Sequence, residues 1–113
     1  MNDALRPGGV MVGAVFAALA DPTRRRVVSL LAQRATVTAT ALAEELPITR
    51  QAIAKHLTAL ADAGLVKGAH EGRETRYRLT PEPLTEAMRW MATAEAQWDE
   101  RLARLQQHLA RDA

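Results

Sequence analysis

The sequence predicts a mainly α-helical fold with one small β-hairpin, about five helices in all and a long helix at its C-terminal end. Three observations predict it. Apolar residues recur at helical spacing over most of the chain, residues 65–79 switch to period-two alternation around Gly72, and the steps from Leu84 to Leu109 alternate four and three without a break.

Composition sets the outer limits. At 113 residues the chain makes one domain with enough aliphatic side chains for a core, yet small enough that a dimer interface would help stabilise it. Its 15 basic and 13 acidic residues nearly balance, so any nucleic-acid affinity must come from local clustering. With no cysteine, a disulfide framework and a thiolate metal site are excluded, which fits the cytoplasm. The N-terminus lacks a signal pattern, and Val10 to Ala20 is too short and too interrupted for a membrane span, so no membrane partner is expected.

Residues 1–9 read as a loose polar lead containing Pro7-Gly8-Gly9, and residues 10–113 as a single domain. Val12, Val15, Phe16 and Leu19 follow at i, i+3, i+4 and i+7, which predicts a first helix over 10–20. Asp21 and Pro22 suit the cap and first position of a second helix, whose buried face is Val27, Leu30 and Leu31. The run Arg24-Arg25-Arg26 fans over about 200° of that helix, so the three cannot share one surface. Structural ion pairs and solvation are expected there rather than DNA contact.

The stretch Thr36 to Thr40 opens a third helix, with Thr38 as its cap. Leu42 and Leu46 form its apolar i, i+4 pair, Pro47 stops it, and Ile48 can wedge between it and the next. Thr49 can cap the fourth helix and Gly64 can end it in the left-handed region. Ile53, Leu57 and Leu60 make its inward stripe. Gln51, Lys55 and Thr58 project opposite, flanked by Arg50 and small Ala54. Two short amphipathic helices with a three-residue break form a helix-turn-helix, whose second helix enters a major groove. An amide, a cation and a small side chain suit adenine, guanine and the thymine methyl there. An ordinary solvated helix face would carry the same residue types.

In the strand pair, Thr75, Tyr77 and Leu79 alternate with Arg76 and Arg78, one face covered and the other solvated. Gly72-Arg73 fits a two-residue type II′ turn. A basic hairpin directly after such a helix is a wing, with Arg73 at its tip able to reach a minor groove or a phosphate and Arg76 or Arg78 able to lie along the backbone. The DNA-binding set is therefore Thr38, Thr40, Thr49, Arg50, Gln51, Ala54, Lys55, Thr58, Arg73 and Arg76.

Beyond the wing, Thr80-Pro81 reads as cap and first position of a helix over 81–110. Leu84, Met88, Met91, Glu95, Trp98, Leu102, Leu105 and Leu109 form a heptad seam with one polar interruption. A helix of about 30 residues spans some 45 Å, longer than this domain can cover alone. A second copy of the chain is the simplest cover, which places Val12, Phe16, Leu84, Met88, Met91, Trp98, Leu102 and Leu105 in a two-fold dimer interface. Glu95 either pairs across that interface or reaches water at a bend. Trp90 and Trp98 read as core or interface anchors.

Taken together, Leu19 to Val27, the helix-turn-helix with Ile53-Ala-Lys-His-Leu57, the Ala63-Gly-Leu-Val66 exit and the Gly72-Arg73 to Leu79 wing resemble the ArsR family of bacterial winged-helix repressors, from about Val12 to Leu109. The resemblance implies a homodimeric transcriptional repressor on an inverted-repeat operator. Metal-responsive relatives use cysteine clusters or His and carboxylate ligands; here cysteine is absent, and His56, His70 and His108 fall on three elements with no pairing suited to zinc. Asp99 and His108 lie nine residues apart, too far along one helix for a single site in one chain. No metal and no cofactor is expected. Nor is catalysis, since no phosphate loop, nucleophile-base set or carboxylate pair stands out. The expected partners are double-stranded DNA, a second copy of the chain and a small-molecule effector of unidentified kind. The competing expectations are a winged-helix module that docks a protein, and a repressor of this fold with a non-cysteine metal or organic effector.

Overall fold

The computed structural model describes residues 7–112, with side chains from 12 to 111. In chain order the elements are α1 (Pro7–Leu19), α2 (Pro22–Gln33), β1 (Val37–Thr38), α3 (Ala39–Glu45), α4 (Arg50–Asp62), β2 (Val66–Glu71), β3 (Glu74–Leu79) and α5 (Glu82–Asp112). Five helices, a hairpin and a long last helix are as expected. The bounds of the first and last helices differ from the expected 10–20 and 81–110, with α1 ending at Leu19 and α5 reaching Asp112. α1 takes in Pro7-Gly8-Gly9, which the sequence assigned to the lead, while residues 1–6 lie outside the described residues. α5 starts one residue late: the Pro81 carbonyl accepts from the Thr85 N–H at 3.0 Å, so Pro81 and not Thr80 takes the cap position.

The helix ends are set by local chemistry. Asp21 accepts from the Arg24 N–H at 2.9 Å, Thr38 from Ala41 at 3.1 Å and Thr49 from Ala52 at 3.1 Å. Gly64 stands at φ +78°; its N–H donates to Ala61 O and the Leu65 N–H donates to Leu60 O, both at 2.9 Å. That pair of bonds is a Schellman motif, and it turns the chain from α4 into β2. Between α3 and α4, the Ile48 N–H donates to Leu46 O at 2.8 Å, a three-residue turn centred on Pro47 whose fixed φ suits it.

The core forms where the apolar stripes meet. Val15, Val27, Leu31, Val37, Leu42, Ile53, Leu57, Leu60 and Leu65 are essentially inaccessible, with Ile48 and Leu30 half-buried against them. Each large aliphatic side chain so buried contributes about 1.5–3 kcal/mol. Ile53 and Leu57 share one buried cluster with Leu42 and Leu31, which anchors α4 to the body.

The sheet holds a strand that the sequence reading lacked. β1 pairs antiparallel with β3 (Val37↔Tyr77, Thr38↔Arg76), and the order is β1-β3-β2. Two residues carry too little pattern to be recognised, but they cover an edge of β3 that would otherwise stay unpaired. At the hairpin tip Gly72 has φ +64° and Arg73 does not, in keeping with the expected type II′ turn.

Among the described residues, two of the three arginines of the run bind backbone carbonyls rather than carboxylates, and the third is solvated as expected. Arg24 Nε donates to Ala18 O at 2.6 Å, and Arg25 Nη1 donates to Leu19 O at 2.7 Å and Ala20 O at 3.2 Å. Both guanidinium groups satisfy the orphan carbonyls at the C-terminal end of α1, where positive charge also complements the helix dipole. Arg26 is exposed.

α5 packs on α1, where the rings of Phe16 and Trp90 meet edge-to-face with centroids 5.7 Å apart. Past that contact the helix projects from the body. The chain extends 70 × 33 × 21 Å with a radius of gyration of 19.2 Å, against about 13 Å for a compact domain of this length.

Candidate nucleic-acid interface

α4 holds the candidate contact residues on one face because its period opposes them to the buried stripe. Arg50, Gln51, Ala54, Lys55 and Thr58 are all exposed, while Ile53, Leu57 and Leu60 are buried. Thr49 is exposed too, but its hydroxyl is occupied in capping the helix.

Beside this face the chain forms a notch of about 250 Å³ between α3, α4 and the wing. It is lined by Thr38, Ala39, Thr40, Arg50, Ala54, Arg73, Glu74, Thr75 and Tyr77. Of the ten residues read from the sequence, Thr38, Thr40, Arg50, Ala54 and Arg73 thus meet in one place. Gln51, Lys55 and Thr58 lie on the same helix outside the notch, with their side chains exposed.

Arg76 goes elsewhere. Its Nε lies 2.8 Å from Glu71 Oε2, its Nη2 3.6 Å from Glu74 Oε2, and its Nη1 3.5 Å from Thr36 Oγ1. With Ala69 and Arg78 these residues line a separate hollow. Period-two alternation is the cause, since it sends Arg76 and Arg78 to the face opposite Thr75 and Tyr77. Chemically Arg76 engages the two carboxylates that flank the wing tip, leaving Arg73 as the outward charge of that turn.

Four lining residues were not among the sequence candidates: Ala39, Glu74, Thr75 and Tyr77. The same alternation marks Thr75 and Tyr77 as a shared face, but only the packing of the sheet beside α4 shows that this face borders the notch.

The seam residues divide. Val12 and Leu84 are half-buried within the chain. Phe16, Met88, Met91, Trp98, Leu102, Leu105 and Leu109 are exposed, as is Trp90, and Glu95 sits among them in solvent. Met88 leaves 64% of its surface accessible, and Leu105 52%. That is a long apolar face with no cover from this chain.

The histidines stay apart. His56, on α4, turns inward to the start of α2: its Nδ1 is buried, lies 3.9 Å from Asp21 Oδ2 and makes no hydrogen bond. His70 Nδ1 lies 3.2 Å from Thr75 Oγ1, and His108 is near the end of α5. Among the described residues no three His, Asp or Glu side chains are grouped to hold a metal ion, and no helix is long and apolar enough to cross a membrane.

Among the described residues three ionisable groups are shifted, all by local structure. The Arg24 N–H, reinforced by the charges of His56 and Arg24, holds the Asp21 carboxyl below its ordinary value. An ion pair between Arg34 and Glu45, joining the end of α2 to that of α3, lowers the Glu45 carboxyl and raises the Arg34 guanidinium. None of the three belongs to the notch.

Comparison with known proteins agrees with this geometry. A helix-turn-helix domain family matches residues 19–69. The transcriptional repressor SdpR of Bacillus subtilis is 34% identical over 77 residues, covering 68% of this chain and 84% of its own. Among solved structures, an ArsR-like transcriptional regulator from Rhodococcus sp. RHA1 superposes with a TM-score of 0.77 at 44% identity, over 87% of this chain and 92% of that one. The homodimeric winged helix-turn-helix DNA-binding domain Mb0332 of Mycobacterium bovis gives 0.60 at 30% identity, over 81% and 82%.

Proposed function

The chain belongs to the ArsR family of winged helix-turn-helix transcriptional regulators, and from that premise we propose that it is a homodimeric, metal-independent repressor of an inverted-repeat operator. The observation that carries the reading is the exposed polar face of α4 beside a notch in which Arg50 and Arg73 converge from two different elements. Phosphate contacts at Arg50, Arg73 and Thr40 fix the register, while Gln51 and Lys55 read base edges. The dimer follows from the uncovered apolar face of α5 and is supported by the homodimeric Mycobacterium bovis relative; repression is supported by SdpR. Metal independence rests on the absence of cysteine and the wide separation of the histidines.

The test is fluorescence anisotropy with duplex from upstream of the protein's own gene against a scrambled duplex, at two salt concentrations. Tight binding to the upstream duplex that exceeds the scrambled control and persists at higher salt supports the reading. Replacing Gln51 by Ala should then change sequence preference, whereas Arg73→Ala should weaken both duplexes and flatten the salt dependence. Failure to bind any duplex would instead favour a winged-helix module that docks a protein.

A further inference from the structure

We propose that Tyr77 is a further DNA-positioning residue, its hydroxyl donating to a backbone phosphate seated in the notch, and that Gly68 is the residue that allows its ring to lie there. The proposal rests on the DNA-binding reading above and extends it to a group on the sheet.

Tyr77 lies on the central strand, with Val37 opposite it on β1 and Gly68 opposite it on β2. It is half-buried, and it lines the notch together with Arg50, Arg73 and Thr40. Its hydroxyl has no hydrogen-bond partner among the described residues, yet it is not a buried orphan, so solvent reaches it. Such a half-buried phenol can exchange water for a bound ligand as the partner of its O–H. Here the surroundings select the partner's charge. The notch offers two guanidinium groups, and its one carboxylate, Glu74, is already drawn toward Arg76. An anion fits, and a phosphodiester oxygen is the anion that the adjoining recognition helix brings.

Gly68 accounts for the pose. A Cβ placed on it would stand 3.0 Å from Tyr77 Cε1 and from Thr75 Cγ2, and 3.3 Å from Tyr77 Cδ1. The ring therefore occupies the space of the missing side chain. Gly68 is not in the positive-φ region, so the backbone tolerates alanine, and it is the Tyr77 ring and the Thr75 methyl that must give way.

The test compares wild type with Tyr77→Phe, Gly68→Ala and the double variant, on the upstream and scrambled duplexes at two salt concentrations. Tyr77→Phe should weaken binding about tenfold on both duplexes, as expected for a lost hydrogen bond to a charged group. Its salt dependence should stay that of wild type, because a neutral phenol releases no counterion. Thermal midpoint and oligomeric state should not change. Gly68→Ala should weaken binding as well, and should add little in the Tyr77→Phe background, since it acts through the ring. As Tyr77 is the chain's one tyrosine, a fluorotyrosine label gives a single resonance that should shift when duplex is added. Tyr77→Phe binding both duplexes as tightly as wild type would overturn the proposal while leaving the DNA-binding reading intact. Wild type binding neither duplex would overturn both.

Discussion

The helix-turn-helix and α5 are built from the same periodic pattern but end in opposite conditions. In α3 and α4 every large apolar residue of the stripe, Leu42, Ile53, Leu57 and Leu60, is buried within the chain. In α5 the stripe is buried only near its start, and from Met88 to Leu109 it faces solvent. The difference lies in what stands opposite: α4 meets α2, α3 and the sheet, whereas α5 outruns α1, its one long neighbour. The proposed DNA surface is thus preformed in a single chain, whereas the projecting helix has no cover from this chain.

Breaking the inner region should have the largest effect. Leu57→Ala removes a fully buried side chain at the junction of α4 with the core and should cost about 2–5 kcal/mol. Denaturant unfolding would read it; a loss well under 1 kcal/mol would mean that the core beneath α4 is looser than its burial implies.

Leu105→Glu probes the outer region. A carboxylate on the exposed seam leaves the inner core untouched but charges the proposed dimer face, so association should weaken by about tenfold or more. Light scattering should show monomer at concentrations where wild type is dimeric, with DNA affinity falling alongside. An unchanged dimer would place the interface elsewhere.

Arg76→Ala tests the wing itself. These are exposed ion pairs, so stability should change by less than about 1 kcal/mol. Yet Glu71 and Glu74 would lose their partner beside Arg73, and repulsion of phosphate should lower DNA affinity by roughly threefold, more at low salt. If Arg76 instead contacts phosphate directly, the loss should come with a flatter salt dependence.

The smallest effect concerns pH. The Asp21 and Glu45 carboxyls are held below their ordinary values of 3.8 and 4.5 in the folded chain. Their contribution is therefore fully present above those values and is lost as pH falls through the lower folded ones. The thermal midpoint should be level from neutrality to about pH 5 and decline below about pH 4. In Glu45→Gln the decline should be shallower. A midpoint equally steep in both would show that the Arg34 pair adds nothing on the acid side.

Much of this was legible residue by residue. Asp21, Thr38 and Thr49 announce helix starts because a short polar side chain satisfies N–H groups within its own first turn. Gly64 and Gly72 announce left-handed positions because other residues meet steric resistance there. The heptad steps announced a seam too long for one chain. Other features depend on groups distant in sequence. β1 forms because Val37 finds Tyr77, some forty residues on. Arg24 and Arg25 face carbonyls of the preceding helix only because α1 and α2 turn sharply at Asp21.

Local rules acting within three or four residues of one another, hydrogen-bonded caps and side-chain period, let the sequence by itself determine the five helices and the hairpin, most of their capped ends, the inward stripe of α4 and its outward polar face. Tertiary structure alone decided which faces meet. It paired Arg76 with Glu71 and Glu74, set Tyr77 beside Arg50 and Arg73, and left Met88 to Leu109 uncovered. Each of those outcomes depends on how separate elements pack, and period and propensity do not encode packing until the core closes around Leu42, Ile53, Leu57 and Leu60.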